Sequence, residues 1–353
     1  MNRLEQEVSS ICNVHDQYIK KTTEIDLFIQ IAENQKNFVE LVKAQDDTRE
    51  YIEGLRKLSN SVVLYNAAII SIYGSYELFL DEIMRAYTDY LKRRTREYKV
   101  FPEKLKQKYM MKSAEYLSNP QRYEHMGITN ESVINALNSS CIQGKTDDLL
   151  DVLLLSHGGN LKTKQLKGLL QEYGFENPIQ ELIKHKEFSK KIIRLPDDDT
   201  GDSFPDLDQI VEERNKVGHG WIVDNRLSFS LLRTRYLPFF SVLCLAVKDL
   251  IVSKIIQDFI DDGCMEQFDK LLGSWYEGTV IGINNKNYRL KVGGWLYYTD
   301  GMNWNYPFKI LNLKRDNVDR SEIRSSNVDV SIQTNERIKA NFTVWGCDRI
   351  VET

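Results

Sequence analysis

Across residues 1–58, Leu27, Ile31, Phe38, Leu41, Val42 and Ile52 recur at three- and four-residue steps among charges, and no proline interrupts them. That period predicts helix. A longer helix is predicted from about Ser61 to Arg94. Val62, Tyr65, Ile69, Tyr73, Tyr76, Phe79, Leu80 and Ile83 give it a wide apolar face. Lys92, Arg93 and Arg94 close it where cations suit the negative end of the helix dipole. Pro102 marks a break. Between 113 and 200 the helical stretches shorten: one around Leu149–Leu154 before a Gly158–Gly159 turn, another over Leu166, Leu169 and Leu170 ended by Gly174. The acidic run Pro196–Asp202 reads as an exposed loop. A helix then starts after Phe204-Pro205, with Asp206 in its first turn. The last long helix is predicted over 228–259, with Leu231, Leu232, Tyr236, Phe239, Leu243 and Val247 as its stripe and Pro238 as a kink.

The period changes at Gly273. Short runs of alternating Val, Ile, Tyr and Trp follow at 278–283, 288–292, 295–298, 329–332 and 341–345, with turns at Asn284-Asn285, Gly293-Gly294 and Asp300-Gly301. Period two with such turns predicts strands and hairpins. The expected architecture is mainly α, with an N-terminal helical extension (1–58), a helical domain (59–265) and a small all-β domain, barrel or sandwich (273–353).

Composition adds exclusions. In 353 residues, 42% are hydrophobic and 28% charged, with 7 prolines and 19 glycines; this is globular composition, not a disordered or collagen-like chain. A net charge of −4 excludes a globally basic nucleic-acid packager. The five scattered cysteines contain no CxxC pair, which argues against a disulfide framework and a zinc knuckle. The charged start Met1-Asn2-Arg3-Leu4-Glu5 is unlike a signal peptide, and no run of about 18 uncharged apolar residues suggests a membrane span. The expected compartment is the reducing cytoplasm.

One stretch carries chemistry: Glu213-Arg214-Asn215-Lys216-Val217-Gly218-His219-Gly220-Trp221. On a continuing helix Arg214 and His219 lie about 140° apart. Gly218 and Gly220 let the chain unwind and bring the imidazole back beside the guanidinium. Arg binds a phosphate oxygen and stabilises the added charge of a pentavalent transition state. His moves a proton near neutral pH. With 19 Arg and 5 His, an Arg-x4-His spacing alone arises by chance in roughly a quarter of such chains; Asn directly after the Arg lowers that to about one in fifty. The competing interpretation is a helix C-terminus with His219 facing the last carbonyls.

Arg214-Asn215-x3-His219-Gly220 between two long helices resembles the signature of HEPN-superfamily ribonucleases. Tyr73–Leu80 resembles that superfamily's acidic-aromatic helix, and Asn160–Leu166 through Tyr173-Gly174 resembles the segment before its catalytic helix. The pattern is most similar to the RiboL-PSP-type branch and its neighbours, found in bacterial conflict systems, over roughly residues 60–262. The resemblance implies a HEPN-like helical bundle and an endoribonuclease without metal or cofactor, acting through 2′-hydroxyl attack. The implied setting is anti-phage defence or a toxin–antitoxin pair. His219 is then the base or acid, and Arg214 holds the phosphate. Asn215 orients the imidazole or donates to the phosphate. Glu77 anchors Arg214 or sets its rotamer, unless it is a partly buried helix residue satisfied by a neighbour. The resemblance also implies a homodimer, with the helices at 61–94 and 228–259 forming either its seam or intramolecular core.

Lys92–Lys112 holds nine cations against Glu97 and Glu103, with Tyr98, Phe101 and Tyr109 between them. Alone this is a solvated helix face. Beside a nuclease motif it becomes an RNA track, with Arg93, Arg94, Arg96, Lys99 and Lys104 on phosphates and the aromatics stacking bases. Asp197, Asp198, Asp199 and Asp202 lack the alternation of a calcium loop and are expected to be solvated linker. Trp275, Trp295, Trp304 and Trp345 are expected in the β-domain core; an exposed subset would meet RNA, or a partner such as an antitoxin or defence protein. The alternative function is a non-catalytic helical scaffold that binds RNA or protein. A His219 buried in an apolar core would favour it.

Overall fold

The computed structural model describes residues 2–41, 49–59, 62–95, 97–155, 160–190, 204–219, 226–286, 288–325 and 327–347. The chain divides into two compact units: Asn13–Val247, and Met1–Cys12 together with Lys248–Thr353.

Helices α1 (Arg3–Leu41), α2 (Arg49–Ser59) and α3 (Val62–Thr95) come first. Shorter helices follow: α4 (Glu103–Ser118), α5 (Asn130–Leu137), α6 (Asp151–Leu155), α7 (Thr163–Glu172), α8 (Pro178–Lys184) and α9 (Lys186–Lys190). Then come α10 (Pro205–Gly218) and a last helical run from α11 (Phe229–Leu231) into α12 (Leu237–Asp261). The expected kink is a π-turn at Leu232–Tyr236, closed by the Leu237 N–H bonding the Leu232 carbonyl. Pro238 has no N–H to continue the regular ladder, and the widened turn before it absorbs the break.

The larger unit is built on α3. Tyr73, Tyr76, Phe79, Leu80, Ile83 and Tyr87 are all buried along it. Tyr76 packs edge-on against Phe240 of α12 at 5.2 Å, and Tyr87 meets Tyr173 at 6.0 Å. Among the described residues, Val62–Arg94 is the one helix long and apolar enough to cross a membrane, and 44% of its most apolar window is buried inside the protein.

In the smaller unit the strands are β1 (Glu266–Gln267), β2 (Gly273–Trp275), β3 (Val280–Asn285), β4 (Leu290–Lys291) and β5 (Trp295–Thr299), then β6 (Asn305–Arg315), β7 (Val318–Arg320), β8 (Glu322–Ile323), β9 (Val328–Thr334) and β10 (Thr343–Gly346). They form an open, curled antiparallel half-barrel in the order β1-β10-β5-β6-β9-β3-β2, with β7 on β6 and a separate β4–β8 pair. β6 is its longest strand and escapes the period-two pattern, because Pro307 and the polar Asn305 and Asn312 break the alternation. Pro307 faces Tyr297 in the half of β6 paired with β5, while pairing with β9 begins at Ile310. Of the four tryptophans here only Trp304 is buried. Trp275 is half exposed, its ring laid against Gly273, where a Cβ would not fit, and Gly282, where one would be tight.

Candidate active site

The site lies within the larger unit, where α10 packs on α3. Pro205 starts α10, since its missing N–H is one the first turn leaves unpaired anyway. Asp208 accepts the Thr163 N–H at 2.7 Å, and Thr163 Oγ1 accepts the Phe204 N–H at 3.0 Å. These bonds pin the segment entering α7 against the start of α10. Further along, Tyr65 of α3 donates to the buried Glu213 at 2.6 Å, and Lys216 pairs with the same carboxylate at 2.7 Å. Burial, and then the Glu213 carboxylate, push the Tyr65 phenol well above its ordinary range.

Between these anchors sits Arg214. Its Nη1 donates to Asn160 Oδ1 at 3.0 Å and to Asn215 Oδ1 at 3.3 Å, while Asn160 Nδ2 donates to Asn215 Oδ1 at 2.8 Å. The guanidinium carbon stands 5.2 Å from the centroid of the Tyr73 ring. Tyr73 is buried, donates to Glu77 at 3.2 Å and accepts the Leu161 N–H at 3.0 Å. Burial raises its phenol to about 12, with the Leu161 N–H opposing and the Glu77 carboxylate adding to the rise.

Glu77 therefore reaches Arg214 through Tyr73: its hydrogen bond goes to the phenol, which lies under the guanidinium. Partly buried and bonded to a neighbouring side chain, Glu77 matches the alternative expectation for it, and its link to Arg214 is indirect. Asn160 and Tyr73 are site residues to which sequence reasoning assigns no role, although both lie in segments that resemble the HEPN pattern.

His219 is exposed and caps α10, its N–H bonding the Asn215 carbonyl at 3.0 Å as in a continuing helix. The expected unwinding at Gly218 does not occur. Gly218 stays helical, because a glycine permits a left-handed turn but does not impose one. Arg214 and His219 thus diverge by about 140° and about 7.5 Å along the axis. Asn215, four residues before His219, shares its helix face. Gly220 and Trp221 lie outside the described residues.

The basic stretch is less charged than its composition suggests. Lys92 is tied to the Leu149 carbonyl at 3.0 Å and to Asp151. Lys106 pairs with Glu103 at 2.7 Å, Lys108 with Glu172 at 2.8 Å and Lys112 with Glu115 at 2.8 Å. Lys99 pairs with Glu97 at 2.7 Å on open surface. Arg93 and Lys104 are exposed and Arg94 is half-buried; Arg96 lies outside the described residues. Tyr98, Phe101 and Tyr109 are buried, with Tyr98 and Phe101 rings at 6.1 Å. They are core and cannot stack bases, which corrects that part of the RNA-track expectation. Among the described residues no group of three or more His, Cys, Asp or Glu side chains is placed to hold a metal ion, and the acidic run 197–202 falls outside them.

A helical unit with Arg-Asn-x3-His at the end of a helix packed on a long aromatic helix has the makings of a HEPN domain. The RiboL-PSP-HEPN family matches residues 30–253, well over half of the chain, and the protein belongs to that family. Comparison with curated proteins and with solved structures gave no match.

Proposed function

We propose that the protein is a metal-independent endoribonuclease. The observation that carries this reading is a guanidinium preorganised by Asn160, Asn215 and Tyr73 beside the helix end that presents an exposed His219. One guanidinium nitrogen is committed to the asparagines, and the remaining N–H groups are suited to a phosphate. The ribose 2′-hydroxyl attacks the adjacent phosphorus as its proton is removed, and the bond to the 5′-oxygen breaks as that oxygen takes up a proton. The products are a 2′,3′-cyclic phosphate and a 5′-hydroxyl. Arg214 neutralises charge on the pentavalent phosphorus and His219 transfers a proton. His219 is exposed, so the burial that would favour the scaffold alternative is absent.

Family membership also supports RNA binding and a homodimer; we further propose cytoplasmic anti-phage defence or a toxin–antitoxin pair as the setting. An antitoxin or defence protein is then the partner of the β unit. Val63, Ile70 and Leu78 lie exposed on α3 along the stripe adjoining Tyr73 and Glu77. A groove of about 390 Å³ between α1 and α3, with Ile70 and Gly74 in its lining, runs beside them. These features suit a two-fold seam next to the site.

The test is RNA cleavage in EDTA. Wild type should cut and leave cyclic phosphate ends, DNA should remain intact, and His219→Ala should lose about 100-fold or more. Undiminished cleavage by His219→Ala would overturn the assignment.

A further inference from the structure

The Arg214 network determines which way two amides point. A guanidinium only donates. Asn160 must therefore turn its oxygen to Arg214, and it does so at 3.0 Å. That leaves the Asn160 nitrogen facing Asn215, which must answer with its own oxygen, at 2.8 Å. Asn215 Oδ1 then accepts from both Asn160 and Arg214, so both of its lone pairs are used. The Asn215 nitrogen is the end that lies outside this network.

We infer that Asn160 is a positioning residue that locks Asn215 as a hydrogen-bond donor to a non-bridging phosphate oxygen of the RNA. The inference rests on the ribonuclease reading for its substrate, but the amide orientation stands on the hydrogen bonds alone. Asn215 so held has no acceptor to offer an imidazolium, which removes the role of receiving a proton-bearing nitrogen from His219. It adds two N–H groups to those of Arg214, on the helix face that leads to His219. Anion and proton-transfer group are thereby brought together by one side chain. Its direction is set by the shorter bond, from a residue 55 positions away, together with the longer one from Arg214.

Asn160→Asp separates this role from simple packing. The carboxylate keeps the volume and still accepts from Arg214, but it cannot donate to Asn215. The carboxylate draws the Asn215 nitrogen inward in place of the 2.8 Å bond, at the expense of the longer 3.3 Å contact from Arg214, and the turned amide presents its oxygen to the phosphate.

The probe is inorganic phosphate, added to full-length protein labelled with ¹⁵N-asparagine and followed by NMR. In wild type the Asn215 side-chain amide pair should shift with phosphate, while the Asn160 pair stays protected from solvent exchange. In Asn160→Asp the phosphate response of Asn215 should vanish at unchanged melting temperature. RNA cleavage should fall about tenfold to a hundredfold, the scale of one missing hydrogen bond to a charged group. An Asn215 amide that ignores phosphate in wild type, or responds equally in Asn160→Asp, would overturn the inference. So would full-rate cleavage by Asn160→Asp where wild type cuts RNA. A wild type that shows the phosphate response without cutting RNA upholds the amide assignment and overturns the ribonuclease reading instead.

Discussion

The Tyr73 ring lies beneath the Arg214 guanidinium, 5.2 Å from centroid to carbon, and its hydroxyl holds the backbone N–H of Leu161, directly after Asn160. One side chain on α3 thus supports Arg214 from below and fixes the segment that grips it from the side. The ring contributes a cation–π interaction. The hydroxyl satisfies a buried N–H that would otherwise lack a partner.

Tyr73→Phe separates the two contributions. The ring remains under Arg214, but the Leu161 N–H and Glu77 lose their partner. Leaving a buried donor unpaired costs about 1–3 kcal/mol, so the melting temperature should fall and cleavage should drop about tenfold as the Asn160 segment loosens. The pH profile between 6 and 9 should keep its shape. With the folded phenol at about 12, Tyr73 remains protonated throughout that range. The linkage appears only in alkali: the unfolded phenol ionises near 10 and the folded one near 12, so this contribution is present below pH 10 and declines as pH rises through the folded value. A wild-type melting temperature and rate in Tyr73→Phe would show that the hydroxyl is dispensable.

Much of this arrangement is legible in the sequence, and the parts that are not share a cause. The apolar period of α3, the Phe204-Pro205 start of α10 and the Arg214-Asn215-x3-His219 spacing are local, so they can be read directly. The role of Asn160 depends on partners 54 and 55 positions away, and nothing in the residues around it signals that pairing. Tyr98, Phe101 and Tyr109 recur at spacings that serve a buried face as well as a stacking surface; only packing separates the two. Pro307 hides β6 because a proline within a run argues against a strand, although its neighbours pair with β5.

The cations of the basic stretch should divide into two kinds. Replacing Arg93, Arg94, Lys99 and Lys104 with alanine should weaken RNA binding. It should also flatten log K against log salt by about 0.7 for each phosphate of single-stranded RNA that is no longer neutralised. Lys99 belongs with this group because its pair with Glu97 is solvent-exposed and readily exchanged for a phosphate. Lys108→Ala should leave the salt slope unchanged and lower the melting temperature, because Lys108 is buried against Glu172. An unchanged slope in the fourfold variant would assign the stretch to solvated surface.

Assembly follows from the number and direction of the proton-transfer groups. Cleavage by 2′-hydroxyl attack needs one group to deprotonate the nucleophile and another to protonate the 5′-oxygen. Each chain offers one imidazole in this motif. Because α10 stays helical to Gly218, that imidazole diverges from its own Arg214 by about 140°. A two-fold axis beside α3 would supply a second imidazole by repeating the first. The exposed Val63, Ile70 and Leu78 give such an axis an apolar seam. Light scattering at micromolar concentration should therefore report the mass of two chains. Ile70→Arg, a change at a half-exposed position, should yield folded monomers that bind RNA but cut it at least about tenfold more slowly. Tagged heterodimers with one wild-type and one His219→Ala subunit should lose most of their activity. A monomeric wild type that cuts at full rate would rule out the composite site and transfer the second proton step to a residue of the same chain, with Glu77 or Lys216 the titratable neighbours of the motif that could take it.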